Sequence, residues 1–169
     1  ITNSGAFLSG ATTPASIAGN FTQSGSGNLG VWLGSALKVT GSASVNGTMS
    51  ILGVKSGYTT TSKETLLNAT GGVTGTFASL KAAPNVFLDA VLAYDPNNVF
   101  LNISRIDVTR AVAGMGLTGA SLASAAWVES AMQAIDLQLA GRVPTGIGAA
   151  FIDAAGALQQ STSVANADA

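Results

Sequence analysis

At 169 residues the chain can hold one domain with a sizeable core and a tail. It has no Cys and no His, which excludes disulfides, a thiol nucleophile and the commonest general base and metal ligand. Charged residues make up only 9% and the net charge is −1, with the Lys and Arg scattered singly, so no basic stripe exists to hold phosphates and nucleic acid is not expected as a partner.

The chain opens at Ile1 with neither Met nor a basic leader, and reads as a piece of a longer polypeptide. From about residue 5 to 110 apolar residues alternate on a period of two, with Gly, Asn, Thr and Ser between short runs. In Asn28 to Leu33 the residues Leu29, Val31 and Leu33 share one face, and in Gly47 to Leu52 Met49 and Ile51 do the same. Leu37-Lys38-Val39, Ala43-Ser44-Val45 and Thr65-Leu66-Leu67 supply further strand faces. The block Asn28 to Val31 recurs at Thr48 to Ile51 after a shift of 20, and Gly75 to Leu80, with Phe77, reads as a third version after a further shift of 28. Such spacing predicts a solenoid, in which each repeat buries its inward face against its neighbours. An all-β fold is therefore expected over residues 1–110, a right-handed parallel β-helix fitting best. An antiparallel sandwich is the alternative, since turn pairs such as Asn46-Gly47 permit tight hairpins.

The stretch Leu88 to Arg105 predicts an antiparallel hairpin centred on Asp95-Pro96-Asn97-Asn98, a type I turn with Pro at its second position. Its strands carry Leu88, Val91, Leu92 and Tyr94 on one side and Val99, Phe100, Leu101, Ile103 and Arg105 on the other. Two registers compete. A two-residue loop opposes Tyr94 with Val99, Leu92 with Leu101 and Ala90 with Ile103. A three-residue loop with Asn98 in the left-handed region opposes Ala93 with Leu101, Val91 with Ile103 and Asp89 with Arg105. The bulged form is favoured, because a type I turn twists a two-residue hairpin unfavourably.

After Arg110 the composition shifts to Ala, Gly, Leu and Met, and residues 111–169 are expected to form a helical, flexible linker. Val128, Ala131, Met132, Ile135 and Leu139 fall at helical spacing within residues 126–139, with Gly141 as the stop, and a weaker helix spans about Ala149 to Gln159. Residues 160–169 have too little apolar content to pack and are expected to be mobile. Ala111 to Val128 lacks charge, but its Gly, Ser and Thr weaken the transfer energy that membrane insertion needs, and a spanning helix is not expected.

Motifs that carry chemistry dissolve in context. Gly25-Ser26-Gly27-Asn28-Leu29-Gly30 matches G-x-G-x-x-G, but a strand rather than a helix follows and no acidic residue stands about 20 positions on. Ser35-Ala36-Leu37-Lys38 matches S-x-x-K, yet the segment is strand-like and the companion elements are missing. The N-x-[ST] triplets at Asn20, Asn46, Asn68 and Asn102 follow from composition. Of the dispersed carboxylates, only Asp89 with Asp95 or Asp107 can meet in one small region, and nothing shapes a site around them. The sequence calls for no catalytic residue, no metal and no cofactor.

The blocks "NFTQSGSGNLGVWLG", "ALKVTGSASVNGTMSI", "TLLNATGGVTGTFASL" and "LAYDPNNVFLNISR", in that order, resemble the carboxy-terminal passenger end, or autochaperone region, of Gram-negative autotransporters. The version in subtilisin-like protease autotransporters is the most similar. The resemblance covers about Gly19 to Arg110, and "AAFIDAAGALQQS" resembles the linker that follows in that family. It implies a non-catalytic β-helix end, on the cell surface or secreted, that helps draw the upstream passenger through the outer membrane. The implied partners are the upstream passenger and the downstream translocator β-barrel of the same polypeptide. No position matches the protease triad. Physics supports the role separately, since a parallel stack has two open ends and a capped end offers the next segment a local template. An excised stack could also self-associate artificially through an open end. The competing class is an adhesive or ligand-binding β-solenoid surface, although no exposed aromatic cluster marks one.

Overall fold

The computed structural model of the chain describes residues 1–10, 13–53, 57–82, 88–113, 119–141 and 148–160. The described strands are β1 (Thr2–Asn3), β2 (Ala6–Leu8), β3 (Ser16–Ile17), β4 (Phe21–Gln23), β5 (Asn28–Trp32), β6 (Leu37–Val39), β7 (Ala43–Val45), β8 (Thr48–Leu52), β9 (Thr61–Ala69), β10 (Val73–Gly75), β11 (Ser79–Lys81), β12 (Leu88–Tyr94) and β13 (Asn98–Arg105). Among the described residues three helices follow: α1 (Val108–Ala113), α2 (Ala120–Leu139) and α3 (Ala149–Gln159). The chain is mainly β and divides into two units, one of residues 1–54, 62–83 and 90–103, the other of residues 55–61, 84–89 and 104–169.

In the first unit the described strands form three sheets, ordered β1-β4-β7-β10, β2-β5-β8-β11 and β3-β6-β9-β13-β12. The pairings β1 with β4, β5 with β8 and β6 with β9 are all parallel, which excludes the antiparallel sandwich. The repeat expected from sequence is met residue by residue in β5 and β8, where Asn28 stands beside Thr48, Leu29 beside Met49 and Val31 beside Ile51. The third repeat is not where the composition put it. Thr48 pairs with Ser79 and Met49 with Leu80, so the shift is longer than 28, and the buried Phe77 lies before β11 rather than within a strand. The opening Gly-Thr of that block misled because Gly75 ends β10. Its φ of 78° is the left-handed bend that turns the chain between sheets, and a Cβ there would stand 2.4 Å from the Val45 carbonyl oxygen.

Alternation explains which side chains go inside. Leu29, Val31, Leu37, Val39, Met49, Ile51 and Leu67 are buried, whereas Leu33 is half-buried because β5 ends at Trp32. The interior is not wholly apolar: Asn3 and Gln23, neighbours in β1 and β4, are also buried. Their amides are satisfied by one another and by backbone carbonyls, as burial requires.

In the second unit, Val108, Val112, Ala125 and Met132 form a core against which Tyr58, Val128 and Leu158 pack. Helix α3 has the bounds expected from sequence. Helix α2 starts at Ala120 rather than at residue 126: the Ala-rich segment is a strong helix former and Ala125 extends the buried stripe, while Leu139, the last residue of the helix, is exposed. Gly141, with φ of 67°, ends the helix as expected. Helix α1 was not legible from periodicity. Its signal was Asp107, whose carboxylate accepts the Arg110 N–H and the Thr109 hydroxyl as an N-terminal cap. Of the tail expected to be mobile, residues 161–169 lie outside the described residues. No helix among the described residues is long and apolar enough to cross a membrane.

Candidate functional site

The hairpin stands at the end of the third sheet. At one end of β13 the Asn97 carbonyl accepts the Ala69 N–H at 2.8 Å, and at the other the Arg105 N–H donates to the Thr60 carbonyl at 2.9 Å, so β13 runs antiparallel to β9. A stack of parallel strands is thereby closed by an antiparallel pair.

The favoured bulged register is overturned. No described non-Gly residue has positive φ, so Asn98 is not in the left-handed region, and the Asp95 N–H donates to the Asn98 carbonyl at 3.0 Å, closing the two-residue loop Pro96-Asn97. Burial agrees: Val99, Leu101 and Ile103 are buried, while Val91, which the bulged form would set opposite Ile103, is 56% exposed. The physical reason is the Asp95 carboxylate, which accepts the Asn97 N–H at 2.8 Å, the Asn98 N–H at 2.7 Å and the Asn98 side-chain amide at 2.9 Å. These bonds offset the unfavourable twist of a type I hairpin turn. They also hold the Asp95 carboxyl below its ordinary range, the Asn97 N–H contributing most.

The turn is bonded to the preceding pass. Asn97 Nδ2 donates to the Ala69 carbonyl at 2.8 Å, Asn68 Nδ2 donates to Asn98 Oδ1 at 2.7 Å, and the Pro96 carbonyl accepts the Val73 N–H at 2.7 Å. Along the strands, the Tyr94 hydroxyl accepts the Phe77 N–H at 3.0 Å, and Lys63 Nζ lies 3.8 Å from the centre of the Phe100 ring. Leu88 and Leu92 are half-buried. Of the hairpin residues singled out from sequence, Val91 is exposed, and the turn residues bond back to β9 and the start of β10.

Arg105 belongs to the second unit. Its guanidinium donates to Glu129 through both terminal nitrogens, at 2.8 and 2.9 Å, and to Asp136 Oδ2 through Nε at 3.0 Å. Glu129 also accepts the Val108 N–H at 2.8 Å, and the Tyr58 hydroxyl donates to Asp136 Oδ1 at 2.8 Å. Burial pushes the Glu129 carboxyl up, but Arg105 and the Val108 N–H outweigh it and hold it below the usual range. Burial first, then Asp136, pushes the Tyr58 phenol up; the bonds to Glu129 and Asp136 raise Arg105 against its burial. Gln159 is fully buried and bonds Thr59 at both backbone groups, each at 2.8 Å. Sequence reasoning missed this network because its members are 21 to 100 residues apart.

Asn28 to Gly30 of the glycine motif lie in β5, and the Ser35 hydroxyl donates to the Gly10 carbonyl while Lys38 lies on β6. Asp89 and Asp107 border one open polar cavity of about 430 Å³ with Arg105 and Arg110. Asp107, however, is held below its ordinary range by the Thr109 hydroxyl and the Arg110 N–H it caps. Among the described residues no cluster of three acidic side chains could hold a metal.

Together these features define a mainly β chain whose parallel sheets are closed by a hairpin with a polar, fully bonded turn. No family model matches the chain, and neither a curated protein nor a solved structure matches it.

Proposed function

We propose that the chain is the carboxy-terminal end of a right-handed parallel β-helix and serves as a non-catalytic folding and secretion module, capping a passenger and templating its folding at a Gram-negative cell surface. The observation that carries this reading is the antiparallel hairpin on β9. It takes up backbone groups of Ala69 and Val73 at the last pass, where a parallel stack would otherwise expose an edge. The order of sequence blocks that resembles autotransporter passengers supplies the context: an upstream passenger and a downstream translocator β-barrel in the same polypeptide.

A stable end favours passengers that emerge with that end first. Each further pass then adds next to an ordered edge, and the slow closure of long-range pairs is replaced by local addition. The test is deletion of residues 88–106 from the complete polypeptide. Passenger folding and secretion should fall at least ten-fold, and the isolated chain supplied in trans should assist refolding. Unchanged secretion refutes the reading, and specific binding of a surface sugar or protein without any folding effect supports an adhesive surface instead.

A further inference from the structure

We propose that the gap between α2 and α3 is a binding site for a short, unbranched alkyl chain carried by an uncharged small molecule. The site lies wholly in the second unit and does not depend on the capping role of the hairpin.

The walls of the gap are apolar. On α2 they are Val128, Ala131, Met132 and Ile135, and on α3 they are Phe151, Ala154, Ala155 and Leu158. Both sets run i, i+3, i+4, i+7, so each helix turns one continuous stripe into the gap. Each stripe covers about two turns, roughly 10 Å along its axis. Among the described residues no polar side chain lines the space, whose volume is about 250 Å³. An apolar cavity of about 150 Å³ already stays dry and takes benzene or xenon. This gap is larger and elongated, which suits an extended chain better than a single ring. The half-exposed Phe151 marks its open side, and the buried Met132 and Ile135 its floor.

The gap is held open by polar bonds on both helices. The Tyr58 hydroxyl donates to Asp136 Oδ1 on α2 at 2.8 Å, and Arg105 binds Glu129 and Asp136 of the same helix. On α3 the Gln159 side chain bonds both backbone groups of the next residue, Thr59, each at 2.8 Å. Gly156 approaches so closely that a Cβ there would stand 2.8 Å from the Tyr58 nitrogen. Two adjacent residues thus fix the two helices. Moving them together would leave the buried Gln159 amide or the buried Glu129 carboxylate without its partners. Ala131, Ala154 and Ala155 are too small to fill the space that remains, and water finds no polar partner on its walls. A hydrocarbon chain meets both conditions.

The charges of the two helices select against a charged ligand head. Glu129 and Asp136 are turned to Arg105, and helical spacing puts the exposed Asp153 on the face of α3 opposite the stripe. No charged side chain of α2 or α3 is therefore presented to a bound molecule.

The test is a titration of the full chain with straight-chain alcohols from butanol to octanol, followed by the methyl resonances of Ala131, Met132, Ile135 and Ala154. Shifts at these methyls should saturate, and affinity should rise roughly four-fold per added methylene. Ala154→Leu fills the gap and should weaken octanol binding at least about ten-fold, with helix content by circular dichroism unchanged. Ala131→Leu replaces it if the first variant fails to fold. Shifts that grow linearly without saturation contradict the site, as does undiminished affinity in the filled variant. Concentration-dependent shifts of the same methyls without alcohol, together with a dimer in sedimentation, overturn the proposal and give the gap to a second copy. If neither variant folds, the alcohol series decides alone: saturable binding that tightens with chain length supports the inference, and affinity independent of chain length contradicts it.

Discussion

Asn97 and Ala69 exchange two hydrogen bonds: the Asn97 carbonyl accepts the Ala69 N–H, and the Asn97 side-chain amide donates to the Ala69 carbonyl, both at 2.8 Å. This pair bonds the hairpin turn to the last residue of β9 by a backbone and a side-chain link at once. Replacing Asn97 with Ala leaves the Ala69 carbonyl without its side-chain donor. The expected loss is about 1–2 kcal/mol, read as a lower denaturant midpoint with an unchanged m-value.

The same logic applies to Asp95, whose carboxylate accepts three donors of the turn. Asp95→Ala should destabilise the chain at neutral pH, and Asp95→Asn should retain part of the turn. The Asp95 pKa is lowered in the folded state. Its contribution is therefore complete above the unfolded value, about 3.9, and fades as pH falls through the folded value. Urea midpoints of wild type and Asp95→Ala should converge on acidification, and a constant difference down to pH 2 would contradict this assignment.

Register is testable by paired substitutions. Leu101 is 1% exposed and Val91 is 56% exposed. Leu101→Ala should cost about 2–5 kcal/mol, and Val91→Thr should change stability by less than about 0.5 kcal/mol. Comparable losses for the two would restore the bulged register, in which Val91 shares a face with Ile103.

In the second unit Arg105 is the cation held by Glu129 and Asp136. Glu129→Gln should cost about 3 kcal/mol at pH 7 by leaving Arg105 short of a carboxylate. Because the folded Glu129 pKa is lowered, the wild-type advantage should be full above about pH 4.3 and decline as pH falls further. Protection of the α2 amides against hydrogen exchange, measured from pH 7 to pH 2.5, reads this directly.

How much of this was legible in the sequence depended on the range of the interactions. Strand faces such as Leu29 with Met49 were readable because alternation and a short repeat are local signals, and their registers coincide with the repeat. The third repeat was misread since a longer loop precedes it and Gly75 belongs to a bend rather than to a strand opening. The turn at Asp95 was recognised but its register was not, because the side-chain bonds that decide it depend on rotamers, not on residue types. Gln23 and Asn3 look like surface residues in a chain full of polar amides, and only the strand pairing brings them together inside. Arg105 looked like the outer end of a hairpin until α2 supplied its carboxylates.

We propose that the hairpin makes this end of the stack its most stable part. Native-state hydrogen exchange with increasing denaturant measures it most directly. Strands β9 and β13 should open only with global unfolding, while β1, β2 and β3 should open at a free energy lower by at least about 2 kcal/mol. Protection of the first strands equal to or greater than that of β9 and β13 would contradict it.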